Sequence, residues 1–104
     1  QLEIYSKENK IEGIFITTSK TYIAALFKER TKKEIKIIGY DLIQENTTLL
    51  QKGYVDFLIH QNPQHQTFLG LSHLAEFFLF DKKLPNQTLL PIGIINSENF
   101  EQYL

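Results

Sequence analysis

The residues of this chain best suited to polar chemistry gather where short apolar runs end. Thr17, Thr18 and Ser19 close the run that starts at Gly13, Tyr40 and Asp41 follow the run IKIIG, and His60, Gln61 and Asn62 follow VDFLI. Asp41 is the acid of this set. An ionised carboxylate accepts from two neighbouring donors at once, which suits the vicinal hydroxyls of a sugar. The same Asp, standing ahead of Leu42 and Ile43, is also placed to cap a helix, and spacing alone favours that plainer role. Gln61 carries both an acceptor and a donor, again matched to a hydroxyl, or else bonds its own loop backbone. Thr18 and Ser19 can bind ligand hydroxyls too, although Ser19 is better placed as the N-cap of the helix that follows it.

Other chemistries lack their parts. His60, His65 and His73 stand close in sequence, but there is no cysteine and no HEXXH spacing to build a metal site with them. The 5 glycines are isolated, so neither a dinucleotide fingerprint nor a phosphate loop can form. No serine, histidine and acid combination sits on a nucleophile elbow, so the expectation is a binding domain without cofactor or metal and not an enzyme. Asn46 to Thr48 and Asn86 to Thr88 match the glycosylation pattern, which arises readily by chance in a chain rich in Asn and Thr and receives no weight. The 11 basic and 12 acidic residues give a net charge of −1, hence no global attraction to nucleic acid or acidic membranes.

These residues need a scaffold, and the composition supplies one. With 42% apolar and 22% charged residues, 104 residues make one ordinary small domain, and no apolar run reaches membrane-spanning length. The chain opens on Gln1 and contains no Met, which suggests a piece of a longer protein. Buried strands are expected at Gly13 to Thr17, Ile35 to Gly39, Val55 to Ile59 and Leu89 to Ile95. A helix after Ser19 presents Tyr22, Ile23, Leu26 and Phe27 on its apolar face, with Lys20, Lys28, Glu29 and Arg30 opposite. A second runs from about Ile43 to Lys52 and stops at Gly53, where a left-handed residue would sit. The third is capped by Asn62, has Pro63 in its first turn and extends to Phe80. Its last turns are apolar nearly all round, so it should be buried on its own sheet or against a second chain. The loop Asp81 to Asn86 leads to the last strand, Ser97 to Tyr103 forms a short capped helix, and Gln1 to Asn9 is the end of a helix. The alternation defines an α/β fold with right-handed crossovers, a mostly parallel sheet and helices on both faces. In such sheets ligands bind beyond the carboxyl ends of the strands, where the polar residues lie as one rim.

The stretches GIFITTSKTYIAALFKE and IKIIGYDLIQENTTLLQKGYVDFLIHQNPQHQTFLGLSHL resemble the C-terminal half of the LacI-type transcription regulators. The most specific parts are the GYD ending at Asp41 and the set Gln61, Pro63 and Gln66. The resemblance implies a type I periplasmic-binding-protein lobe, of which this chain is a fragment, with a small ligand, usually a sugar, held between two lobes. Residues 1–61 and 88–104 would then belong to the C-terminal lobe, and residues 62–87 to the N-terminal lobe. Asp41 matches the acid that bonds sugar hydroxyls, and Gln61 lies at a crossover facing the cleft. Where the family commonly has Asn-Asp, this chain has Thr18 and Ser19, which shortens the polar reach at the first position. The resemblance further implies a saccharide effector, a homodimer, DNA contact through a helix-turn-helix domain outside this chain, no membrane partner, and a cytoplasmic setting. A periplasmic sugar-binding protein serving a transporter or sensor kinase shares the fold and is the alternative.

Overall fold

A computed structural model describes residues 1–103; Leu104, the last residue assigned above to the C-terminal lobe, lies outside the described residues. The elements follow in the order α1 (Leu2–Glu8), β1 (Gly13–Phe15), α2 (Thr21–Thr31), β2 (Lys36–Tyr40), α3 (Gln44–Gln51), β3 (Phe57–His60), α4 (Pro63–Phe80), β4 (Gly93–Ile95) and a terminal 3-10 turn, Phe100–Tyr103. Every expected element is present, and the α/β class stands. The strands are shorter than the apolar runs that announced them. The run Leu89 to Ile95 pairs only over its last three residues, because Pro91 has no N–H to give to a ladder. The terminal helix expected over Ser97 to Tyr103 is a 3-10 turn over Phe100–Tyr103, preceded by a turn in which the Asn96 Oδ1 accepts from the N–H of Glu98 and of Asn99.

The sheet has the order β1-β2-β3-β4. β1 and β2 pair in parallel with Phe15 opposite Ile38, and β2 and β3 pair in parallel with Ile38 opposite Phe57. Side chains alternate across a strand, so one face presents Ile37 and Leu58, both fully buried, while Phe15, Ile38 and Phe57 stand exposed on the other. The buried face meets Ala24, Ala25 and Phe27 of α2 and Leu49 and Leu50 of α3, closed off by Ile35, Val55, Ile95 and Phe100. α2 is turned differently from its expected apolar stripe. Thr21, Ala24, Ala25 and Phe27 face the core, whereas Ile23 and Leu26 are about half exposed. Small residues permit the close approach: a Cβ on Gly39 would lie 1.8 Å from the Thr21 hydroxyl. α3 ends as its sequence suggests, with Gly53 at φ 81° and its N–H donating to the Leu50 carbonyl.

The chain forms two compact units, residues 1–60 with the stretch from Ile94 onward, and residues Gln61–Gly93. The first holds the sheet core. The second is built on α4, whose N-cap is Asn62 with Pro63 in the first turn, as its sequence dictates. None of the residues of α4 is buried, and Phe68, Leu71 and Phe78 are 65%, 64% and 77% exposed. Among the described residues no helix is long and apolar enough to cross a membrane.

Candidate functional site

Parallel strands bring their carboxyl ends to one edge, so the β1–α2 loop and the β2–α3 loop rise side by side. Asp41 follows β2 directly and adopts φ 71°, a left-handed conformation that Asp tolerates better than most residues. Its backbone is engaged at both ends: the N–H donates to the Ile59 carbonyl at 3.0 Å, and the carbonyl accepts from Asn46 Nδ2 at 3.0 Å. The half-buried side chain has no hydrogen-bond or ion-pair partner among the described residues. The role of helix cap falls to Ile43, in extended backbone and without a side-chain bond. The plainer reading of Asp41 is thereby corrected: the left-handed turn carries the carboxylate away before the helix begins.

Ser19 is corrected in the same way. The residue before α2 is Lys20, which makes no side-chain cap, and the Ser19 hydroxyl has no partner among the described residues. The Thr18 hydroxyl accepts from the Lys20 N–H at 3.3 Å and keeps its own proton to donate. Thr18 is exposed and Ser19 half-buried, so Asp41, Thr18 and Ser19 offer one anionic acceptor and two hydroxyls on adjacent loops of the first unit. Gln61 belongs to the second unit. Its carbonyl accepts from Gln66 Nε2 at 2.6 Å, while its side chain is exposed and lines an open cavity of about 430 Å³ with Gln66, His73 and Thr88.

Two residues to which the sequence assigned no part in the site, Thr21 and the Asn46 of the discounted glycosylation pattern, hold the first unit's loops. Thr21 and Asn46 are the buried polar side chains of the described core, each fully enclosed. Asn46 Nδ2 donates to the carbonyls of Ser19, Tyr40 and Asp41 at 2.9, 2.9 and 3.0 Å, and its Oδ1 accepts from the Tyr22 N–H at 2.8 Å. The Thr21 hydroxyl accepts from the Tyr40 N–H at 3.1 Å and lies 3.5 Å from the Thr18 carbonyl. A signal was present: Asn46 lies three residues after Ile43 and three and four before Leu49 and Leu50, so it shares their buried stripe.

Together these features define the class: a lobe of the type I periplasmic-binding-protein-like fold, cut from a larger domain. A candidate LacI transcriptional regulator from Bacteroides fragilis matches 98% of this chain with a TM-score of 0.87 and 30% sequence identity, so the chain is similar to LacI-type regulators in structure as in sequence. A glucose-galactose binding protein from Geobacillus stearothermophilus matches 95% of the chain with a TM-score of 0.84 and 22% identity. A carbohydrate transporter solute binding protein from Agrobacterium radiobacter, solved with D-arabinose, matches 98% with a TM-score of 0.82 and 17% identity. The chain spans 36%, 36% and 35% of these three proteins, about a third of their length. No family model matches the chain, and no curated protein does.

Proposed function

We propose that this chain is the C-terminal part of the effector-sensing domain of a LacI-type transcription regulator, and that its ligand is a small saccharide. The observation that carries this reading is the Asp41 carboxylate, fixed through its backbone and without a side-chain partner among the described residues, at the strand ends of a fold whose neighbours include sugar-binding proteins. Asp41 accepts two sugar hydroxyls and Thr18 and Ser19 exchange hydrogen bonds with others; Gln61, whose amide both donates and accepts, is a further residue matched to a hydroxyl. Residues 62–87 belong to the N-terminal lobe in this reading. Sugar binding favours one arrangement of the lobes in a cytoplasmic homodimer, and the bias reaches DNA through a helix-turn-helix domain outside this chain. No catalytic step is involved.

The experiment is a thermal-shift and calorimetric screen of the intact protein against D-glucose, D-galactose, D-arabinose and D-xylose, since a ligand that binds only the folded state raises the melting temperature. A sugar that binds the wild type should bind Asp41→Ala about ten- to hundredfold more weakly, the worth of a hydrogen bond to a charged group. Equal affinity removes Asp41 from the site. The second reading, a periplasmic sugar-binding or sensor protein, is favoured by the two sugar-binding neighbours. Sugar-dependent binding of the intact protein to its operator DNA separates the two, because only a regulator shows it.

A further inference from the structure

Asn46 and Thr21 do more than fill the core. The Asn46 amide gathers three carbonyls, of Ser19 on one loop and of Tyr40 and Asp41 on the other, and its oxygen takes the Tyr22 N–H. Thr21 spans the same gap: its hydroxyl accepts from the Tyr40 N–H and faces the carbonyls of Thr18 and Tyr40. Both side chains are wholly buried, and among the described residues no buried side-chain polar atom lacks a partner. A hydrogen-bonded amide and hydroxyl enclosed in this way resist displacement, since an unpaired partner would be left without water. Gly39 makes the arrangement possible, because any side chain there would collide with Thr21. The carbonyls of Ser19 and Asp41 are thus held by one amide, while the hydroxyls of Thr18 and Ser19 and the carboxylate of Asp41 remain outside it.

We propose that Thr21 and Asn46 are positioning residues of the ligand site, a clasp that fixes the spacing between the Thr18–Ser19 loop and Asp41. The proposal rests on the reading of Asp41 as the sugar-binding acid. A preset spacing lowers the ordering cost of binding, so the clasp acts on affinity as well as on stability.

The test uses the intact protein with Thr21→Val, which keeps the shape and removes the hydroxyl, and Thr21→Ser, which keeps the hydroxyl. Asn46→Asp is a third variant, placing an acid against three carbonyls. With the sugar of the above panel that binds the wild type, Thr21→Val should lose about tenfold in affinity, in line with one or two buried hydrogen bonds, and Thr21→Ser should recover most of it. In the Asp41→Ala background the same Thr21→Val change should leave the residual affinity nearly unaltered, because the clasp acts through Asp41. A lower melting temperature with unchanged sugar affinity overturns the proposal and assigns both residues to structure alone. Amide hydrogen exchange supplies a readout that needs no sugar. Thr21→Val should speed exchange at Tyr22 and Asp41, whose N–H groups Thr21 does not touch, relative to Leu58 in β3. If no panel sugar binds the wild type, the saccharide reading fails by itself. The clasp is then judged on exchange: acceleration confined to the two loops supports it, and acceleration matched at Leu58, or none, overturns it. Should Asn46→Asp not fold, the two Thr21 variants still decide.

Discussion

Asp56 and Asp41 are both half-buried acids at the ends of strand segments, and their surroundings put them to opposite uses. Asp56 Oδ2 accepts from the Ile37 N–H at 2.8 Å, Oδ1 accepts from Lys36 Nζ at 3.0 Å, and Lys28 Nζ lies 3.9 Å away. Both oxygens of that carboxylate are engaged within the protein, so it pins β2 to the segment ahead of β3. The Asp41 side chain has no such partner among the described residues, which is why the proposed sugar-binding role is given to it. The hydrogen bond from Lys36 to Asp56, with their charge attraction behind it, holds the Lys36 ammonium above its ordinary value of 10.5. A lysine whose folded value is raised adds stability that is complete below 10.5 and is lost as pH climbs through the raised value. The expected outcome is a Lys36 titration, followed by NMR of the side chain, with its midpoint above 10.5 in the wild type and close to 10.5 in Asp56→Asn. A midpoint that does not move shows that the pair does not persist in solution.

At the scale of elements, what was legible depended on whether a local rule or a packing choice set the feature. Caps that use one residue's own chemistry were readable: Asn62 with Pro63 opens α4, and Gly53 closes α3 in the left-handed region. Gly53→Ala meets no neighbouring atom within 4 Å and suffers only the backbone strain, so it should cost about 1 kcal/mol in denaturant unfolding. The rotation of α2 was not readable. Ile23 and Leu26 are more apolar than Ala24 and Ala25, yet the helix leaves them about half exposed and turns its small residues inward, so that Thr21 can sit on Gly39. Gly39→Ala drives a methyl into the Thr21 side chain, with Cβ distances of 1.8 to 2.6 Å, and should cost about 3 kcal/mol, near the upper end for overpacking. A Gly39→Ala protein as stable as the wild type would mean that α2 moves away easily, which would also weaken the case for the clasp. The candidate site divides along the same line. Asp41, Thr18, Ser19 and Gln61 were visible because strand ends in a parallel sheet are where polar residues matter, and the GYD motif reinforced the first of them. Asn46 was hidden because its importance lies in which three carbonyls its amide reaches, a property of two loops that meet only after folding.

For the molecule as a whole, the unsettled account is that of α4. Its 18 residues include Phe68, Leu71, Leu74, Phe77, Phe78, Leu79 and Phe80, and none is buried. An 18-residue helix gains little from its own hydrogen bonds in water, so in proteins such helices persist by burying an apolar face. Burying one leucine or phenylalanine side chain is worth about 1.5–3 kcal/mol, and several side by side exceed the entropic cost of bringing two chains together, about 4–15 kcal/mol, only when most of them are covered. The chain of 104 residues taken alone is therefore expected to associate through α4, with an average mass in light scattering that rises with concentration. Leu71→Glu together with Phe78→Glu, at positions 64% and 77% exposed, should shift that equilibrium strongly toward monomer while the far-ultraviolet signal of the sheet unit is kept, since neither residue supports its core. In the intact protein, where the proposed N-terminal lobe would cover the same face, the same two substitutions should lower the melting temperature. A monomeric 104-residue chain that leaves apolar dye unbound would show that α4 needs no partner, and would remove the reason for assigning residues 62–87 to a second lobe.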